Sequence, residues 1–384
     1  MNNKTIAFVA NFTGIFLFGI SMVIIGSILP VLKVRFGMTD IEAGGLFSVL
    51  PIGLLIGSVS FGPIVDRFGY RGVLSVASLF LAMGFMGIAY SPTVSLLCMC
   101  IFFFGMGGGA INGGTSALVS DLSEGRAKII NLNWLGLFYG VGAFSMPFAL
   151  SRVSDDSLIV VLLIAAVLSI LSALGFLIIK YPISVEKEKV SIRLIPQFIK
   201  NKLFMTIAFY LFFQSAFEAM VNNWSVSYFI DALGTEQNKA LVALSYSVLG
   251  LIAMRLLIGS VFKKMNHHKI IALSLALLAM GTLGLNVRIS VINSLGMILL
   301  GAGLASGFPV MLGLVGEMFK EISGTAFSFA MLIALTGNTI VNYLIGVLTN
   351  AYGMRVYMYV VAAVVLFMVS IYLVIRRLTL SDSK

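Results

Sequence analysis

Twelve separate apolar runs, each long enough for the roughly 20 residues that a membrane-crossing helix needs, leave this chain one kind of fold. In hydrocarbon no water is present to satisfy backbone N–H and C=O groups, so each must pair inside its own segment, and a helix does this. The runs fall at 6–32, 43–65, 72–91, 94–120, 129–151, 157–180, 203–231, 237–262, 269–288, 291–317, 323–349 and 354–376. Only 10% of the 384 residues are charged, and 59% are hydrophobic. A soluble domain carries about 25% charged residues to cover its surface. The first run is too long for the apolar core of a signal peptide and reads as the first span.

Most connections are very short. The exception is 181–202, which is charged and contains two prolines. It divides the chain into an N-terminal six-helix bundle at 1–180, a cytoplasmic linker at 181–202 and a C-terminal six-helix bundle at 203–384. Gly57-Ser58-Val59 in the second run recurs as Gly259-Ser260-Val261 in the eighth. Weak parallel similarity of this kind is what two halves related by an axis along the membrane normal would give.

The formal charge of +10 does not imply a nucleic-acid partner, because the basic residues sit between apolar runs. With the N-terminus inside, Lys and Arg on the inner face outnumber those outside roughly threefold, which sets both termini in the cytoplasm. Cys98 and Cys100 lie two apart on one helix and face different directions, which gives neither a disulfide nor a metal site.

Between the second and third runs the sequence reads GPIVDRFGYRGVL. Gly62, Asp66, Arg67, Gly69 and Arg71 fill a loop pattern G-x-x-x-D-R-x-G-R-R, with Tyr70 at one basic position. A second, degraded copy, GVLTNAYGMR, follows the eleventh run. Motif and layout together resemble the major facilitator superfamily. Three stretches resemble its fucose/glucose–proton symporter branch. They are INGGTSALVSDLSEGRAKIINLNWLGLFYGVGA, AFEAMVNNWSVSYF with Glu218, Trp224 and Tyr228, and LGLIAMRLLIG with Arg255 and Gly259.

The resemblance implies an all-α membrane protein of twelve transmembrane helices in two pseudo-symmetric six-helix bundles. It also implies a monomeric secondary transporter in a bacterial inner membrane, taking up a small polar solute such as a sugar by proton-coupled alternating access. No cofactor is expected beyond the coupling ion, a proton or a sodium ion. Some members of the branch carry a carboxylate in the first or fourth span, where this chain has Asn11 and Asn112.

Glu218 is the only acidic residue deep in a run, and such a charge costs about 2.5–3.5 kcal/mol on insertion scales. Gln214, Glu218, Asn222 and Ser225 share one helical face by their spacing. Amides and a carboxylate can bond sugar hydroxyls, and Trp224 beside them offers a ring face. Arg255 is the one basic residue inside a run and a candidate partner for Glu218, either in proton exchange or as a structural tie.

Asn112, with Thr115 and Ser116, follows a glycine run in the fourth span. Asn133 and Trp134 stand in the fifth and Asn338 and Asn342 in the eleventh, with Asn11 completing the candidate lining. Gly62, Asp66, Arg67, Gly69 and Arg71 are expected to work as a charge latch, with Asp121 and Glu317 as partners. An alternative within transport is a proton-driven exporter of amphipathic compounds, suggested by GVGAFSMP in the fifth span. An enzyme would need a nucleophile with its base, paired carboxylates or a metal set inside a span, and the sequence supplies none.

Overall fold

The computed structural model describes the backbone of residues 3–123, 125–154, 157–179, 181, 195–262, 265–285 and 290–381. Twelve long helices occur among them. We number these α1 (Asn3–Phe36), α2 (Asp40–Gly62), α3 (Arg67–Tyr90), α4 (Val94–Asp121), α5 (Gly125–Leu150) and α6 (Leu158–Ile178). Then follow α7 (Lys202–Ser227), α8 (Gln237–Ser260), α9 (His267–Leu285), α10 (Val291–Met318), α11 (Ser323–Tyr352) and α12 (Val356–Ser381). Eleven are long and apolar enough to cross a bilayer. α5, which carries Asn131 and Asn133, falls outside that set. The chain forms two compact units, Met1–Lys187 and Glu188–Lys384. Of the expected linker, residues 182–194 lie outside the described residues, and its end forms a short helix, Ile195–Lys200.

In the first unit α4 packs on α2 and α3, α1 on α5, and α6 on the α2–α3 pair. α2 starts at a capping box: Thr39 accepts from the Glu42 N–H, and Glu42 accepts in return from the Thr39 N–H at 2.8 Å. The sequence suggests a loop between the second and third spans. The backbone instead stays helical through this region and changes direction at one residue, Gly69, with φ 72 and ψ 168. Only glycine adopts that conformation without a steric penalty. Two basic residues counted on the outer face have local work. Lys33 pairs with Asp40 at 2.7 Å, and Arg35 donates to the carbonyls of Ile88 and Ser91 at 2.8 Å each, tying the end of α1 to the end of α3.

In the second unit α7 packs on α11 and α12, α8 on α10, and α9 on α10 and α12. Asn201 caps α7 by accepting from the Phe204 N–H at 2.9 Å. Phe198 of the short helix stacks on Phe204 and meets Phe319 edge-on, with centroids 5.2 and 5.1 Å away, which fixes how the chain enters this unit. α7 runs on into a wider turn at Tyr228–Ala232. α10 is interrupted: helices Ser290–Leu304 and Gly307–Met318 are separated at Ala305 and Ser306.

Lipid tails are as apolar as leucine, so helices in a bilayer associate through close packing rather than a hydrophobic drive. Glycines provide the approach at the same pairings in each unit. A Cβ on Gly53 or Gly57 of α2 would overlap the carbonyl oxygens of Phe102 or Met106 on α4, and one on Gly105 or Gly109 would overlap those of Leu50 or Leu54. Gly250 and Gly301 make the corresponding crossing of α8 with α10. Gly301→Val should therefore cost on the order of 4 kcal/mol or more, the range kept for severe core overpacking. Gly313→Ala, where a Cβ meets nothing within 4 Å, should leave the melting temperature in detergent within a degree or two of the parent. Equal melting of the two variants would show that the α8–α10 contact is not tight.

Candidate functional site

Each unit presents its own set of polar side chains within the spans. In the first unit the accessible ones lie on α4 and α5. Asn112, Asn133 and Trp134 are exposed, Trp134 by 48%. Phe138, one turn beyond Trp134, stacks flat on Phe12 of α1, with centroids 4.7 Å apart and planes 7° apart. α5 therefore offers an exposed amide and an open indole with a rigid phenyl pair one turn on, and α4 a further exposed amide. Asn131 turns away and donates to Ser123 at 2.8 Å, and Thr115 is buried and bonds the Ile111 carbonyl of its own helix. Asn11 does not join the accessible face. It is fully buried, and its amide donates to the Ala7 carbonyl at 2.7 Å.

The residues expected to form the latch have different local settings. Tyr70 donates its hydroxyl to Asp121 at 2.6 Å and stacks on Tyr181. Arg71 donates to the Leu177 carbonyl at 2.6 Å, fastening α3 to α6. Arg67 is exposed, 5.3 Å from the Phe68 ring centroid. Glu317 is exposed and Gly62 is half-buried. The side chain of Asp66 lies outside the described residues. Asp121 is thus engaged from within its own unit by the tyrosine that stands at a basic position of the motif. Burial pushes the Tyr181 hydroxyl above the ordinary phenol range, with Arg71 opposing. That hydroxyl stays a donor, to Phe176, and holds the Tyr70 ring in register.

In the second unit the expected stripe on α7 divides by role. Gln214 is fully buried and its amide donates to the Leu304 carbonyl at 3.1 Å, a group that the interruption of α10 deprives of a helical partner. Gly307 leaves room for the Gln214 amide, which a Cβ at this position would displace. Ser306 at the same break pairs with Ser274 of α9. Ser225 meets Tyr357 at 3.4 Å, and Tyr357 donates to the Met220 carbonyl at 3.2 Å. Glu218 and Asn222 remain. Neither makes a hydrogen bond among the described residues, and Glu218 is half-buried rather than sealed.

Asn342 is the centre of a buried network. Its oxygen accepts from Asn223 and from the Trp224 indole, both at 3.1 Å, and its amide donates to the Asn338 carbonyl at 2.8 Å. Trp224 is 0% exposed, so its ring is a packing element here and has no free face for a ligand. Arg255 is half-buried, with Nε sequestered and without a hydrogen-bond partner. No ion pair within 4 Å joins it to Glu218, although its field reaches that carboxylate. Sequence reasoning missed Tyr357 and Ser306. Isolated tyrosines and serines in apolar runs give no periodic signal, and their partners come from other helices.

A family model described as Major Facilitator Superfamily matches residues 12–297. The chain belongs to the major facilitator superfamily. Within that superfamily it is 24% identical over 347 residues to the inner membrane transport protein YdiN of Escherichia coli, covering 87% of this chain and 81% of that one. It is 32% identical over 114 residues to the 4-hydroxybenzoate transporter PcaK of Pseudomonas putida, over 30% of this chain and only 25% of that protein's length. In fold it resembles the crystal structure of a mutant of the nucleoside transporter NupG, with a TM-score of 0.81 at 14% identity, covering 98% of this chain and 99% of that one. These relatives are transporters, and this chain is a transporter of the same superfamily rather than an enzyme.

Asn342→Leu removes the acceptor of two buried donors, each costing about 1–3 kcal/mol when orphaned. It should lower the detergent melting temperature more than Asn112→Leu, which changes an exposed amide. A smaller loss for Asn342→Leu would mean that Trp224 and Asn223 find other acceptors.

Proposed function

We propose that this chain is a proton-coupled secondary transporter that carries a small organic acid, of the aromatic carboxylate class, by alternating access across the inner membrane. The observation that carries this reading is the pair of span charges in one unit, Glu218 and Arg255. Both are half-buried and they are not joined within 4 Å. A charge in a span is costly unless it is paired or neutralised. A proton on Glu218 and a carboxylate on Arg255 neutralise both charges together, so the loaded carrier holds no uncompensated charge. Guanidinium groups suit this task because they bind carboxylates through two parallel hydrogen bonds.

The first unit, taken by itself, carries groups suited to the same class of solute. The Phe12–Phe138 stack and the open Trp134 ring suit an aromatic solute, and Asn112 and Asn133 suit a ring hydroxyl. Similarity to a 4-hydroxybenzoate transporter supports the same class. A neutral sugar is the second reading, favoured by the exposed amides. It stands second because Trp224, the ring expected to stack on a pyranose, has no free face. Under this proposal the coupling ion is the proton, and both termini are cytoplasmic.

The test is uptake into proteoliposomes with an inwardly directed proton gradient, using labelled 4-hydroxybenzoate with glucose and fucose as competitors. The acid should accumulate and the sugars should not compete. Uptake of a labelled hexose with no uptake of the acid would replace this reading with the sugar one. Glu218→Gln should abolish accumulation while solute exchange down a gradient continues. Arg255→Gln should weaken acid binding about tenfold or more, which is ~1.4 kcal/mol. Full accumulation by Glu218→Gln would remove that residue from coupling.

A further inference from the structure

A groove of about 370 Å³ lies among α2, α3 and α4, outside the polar faces described above. Its walls include Phe61, Ile64, Phe68, Val76, Phe80 and Met106, and a further valine, glycine, alanine and one serine complete the lining. The lining is apolar except for the single hydroxyl of Ser60 and carries no charged side chain. Ile64, Phe68 and Val76 are 42%, 65% and 49% exposed, so the groove opens sideways. Beyond the turn at Gly69 the lining on α3 runs from Gly72 to Phe80, about 12 Å at 1.5 Å per residue, within the roughly 15 Å of one leaflet's hydrocarbon.

The mouth of the groove lies at the turn around Gly69. Arg67 stands there, exposed, and its only recorded contact among the described residues is the ring of Phe68, itself a wall of the groove. A cation at the surface end of an apolar slot is the complement of an anionic phospholipid, with the chain in the slot and the phosphate on the guanidinium. An acyl chain gains nothing by leaving lipid for a groove of equal polarity. Selectivity must therefore come from the headgroup, through its charge-assisted bond to arginine. The Lys and Arg asymmetry places this end in the cytoplasmic leaflet, where anionic lipids supply such headgroups.

We infer that the α2–α3–α4 groove, with Arg67 at its mouth, is a binding site for one anionic phospholipid of the cytoplasmic leaflet.

The test is thermal unfolding of the delipidated full chain in detergent, titrated separately with phosphatidylglycerol and phosphatidylcholine of matched chains. Phosphatidylglycerol should raise the melting temperature several degrees more than phosphatidylcholine, and soluble glycerol phosphate should not raise it. Arg67→Gln should make the two lipids equivalent. Gly72→Leu should abolish the shift by filling the slot, since a Cβ there meets nothing within 4 Å and the helix itself is not crowded. Lys128→Gln, which removes an exposed charge elsewhere on the unit, should keep the preference. The proposal fails if Lys128→Gln erases the preference as fully as Arg67→Gln, because general attraction to a basic protein would then explain it. It also fails if glycerol phosphate alone reproduces the shift, if the wild-type chain responds equally to both lipids, or if Gly72→Leu still responds. A Gly72→Leu chain that unfolds without lipid far below the parent would show that the groove is covered by the chain itself, and this too overturns the assignment.

Discussion

Backbone-to-backbone approach at glycine is the contact on which each six-helix unit depends. In water, burying an apolar face drives helices together, but in lipid that gain is absent. The α2–α4 crossing is held where Gly53 and Gly57 meet carbonyls of α4 and Gly105 and Gly109 meet carbonyls of α2, and the α8–α10 crossing repeats this with Gly250 and Gly301. Side chains of any size at these points would separate the helices and remove the van der Waals contact that replaces the hydrophobic drive.

Against that framework, buried polar groups divide into those that serve the fold and those left for function. Gln214 satisfies the carbonyl released by the break in α10, Asn342 gathers Asn223 and Trp224, and Tyr357 bonds the Met220 carbonyl. Each removes a polar group that lipid could not hydrate. Glu218 and Arg255 stand apart from these because both are charged and, among the described residues, no ion pair within 4 Å joins them. A transporter needs groups whose partners come and go, and a fully satisfied carboxylate has no reason to exchange a proton.

The motif between α2 and α3 shows how a substitution changes local roles. Tyr70, at a basic position of the pattern, reaches Asp121 through a neutral hydroxyl and leans on Tyr181. Arg71 is committed to the Leu177 carbonyl of α6. Arg67 is exposed too, and among the described residues its guanidinium lies over the ring of Phe68 rather than on a hydrogen-bond acceptor.

The apolar runs by themselves determined the twelve helices and most of their ends, since length and hydropathy act along the chain and need no neighbour. The loop motif and the glycine content were also legible. What the runs could not give was the assignment of individual polar residues. Helical spacing placed Gln214, Glu218, Asn222 and Ser225 on one face, yet the tertiary structure gave Gln214 to α10 and Ser225 to α12, and left Glu218 and Asn222 without hydrogen bonds. Trp224 read as a ring open to a sugar and is enclosed because α11 brings Asn342 to its N–H. Periodicity fixes the direction in which a side chain leaves its own helix. Whether it finds a carbonyl, a ring or open space there depends on which residue of another helix arrives at the same depth, and only packing decides that.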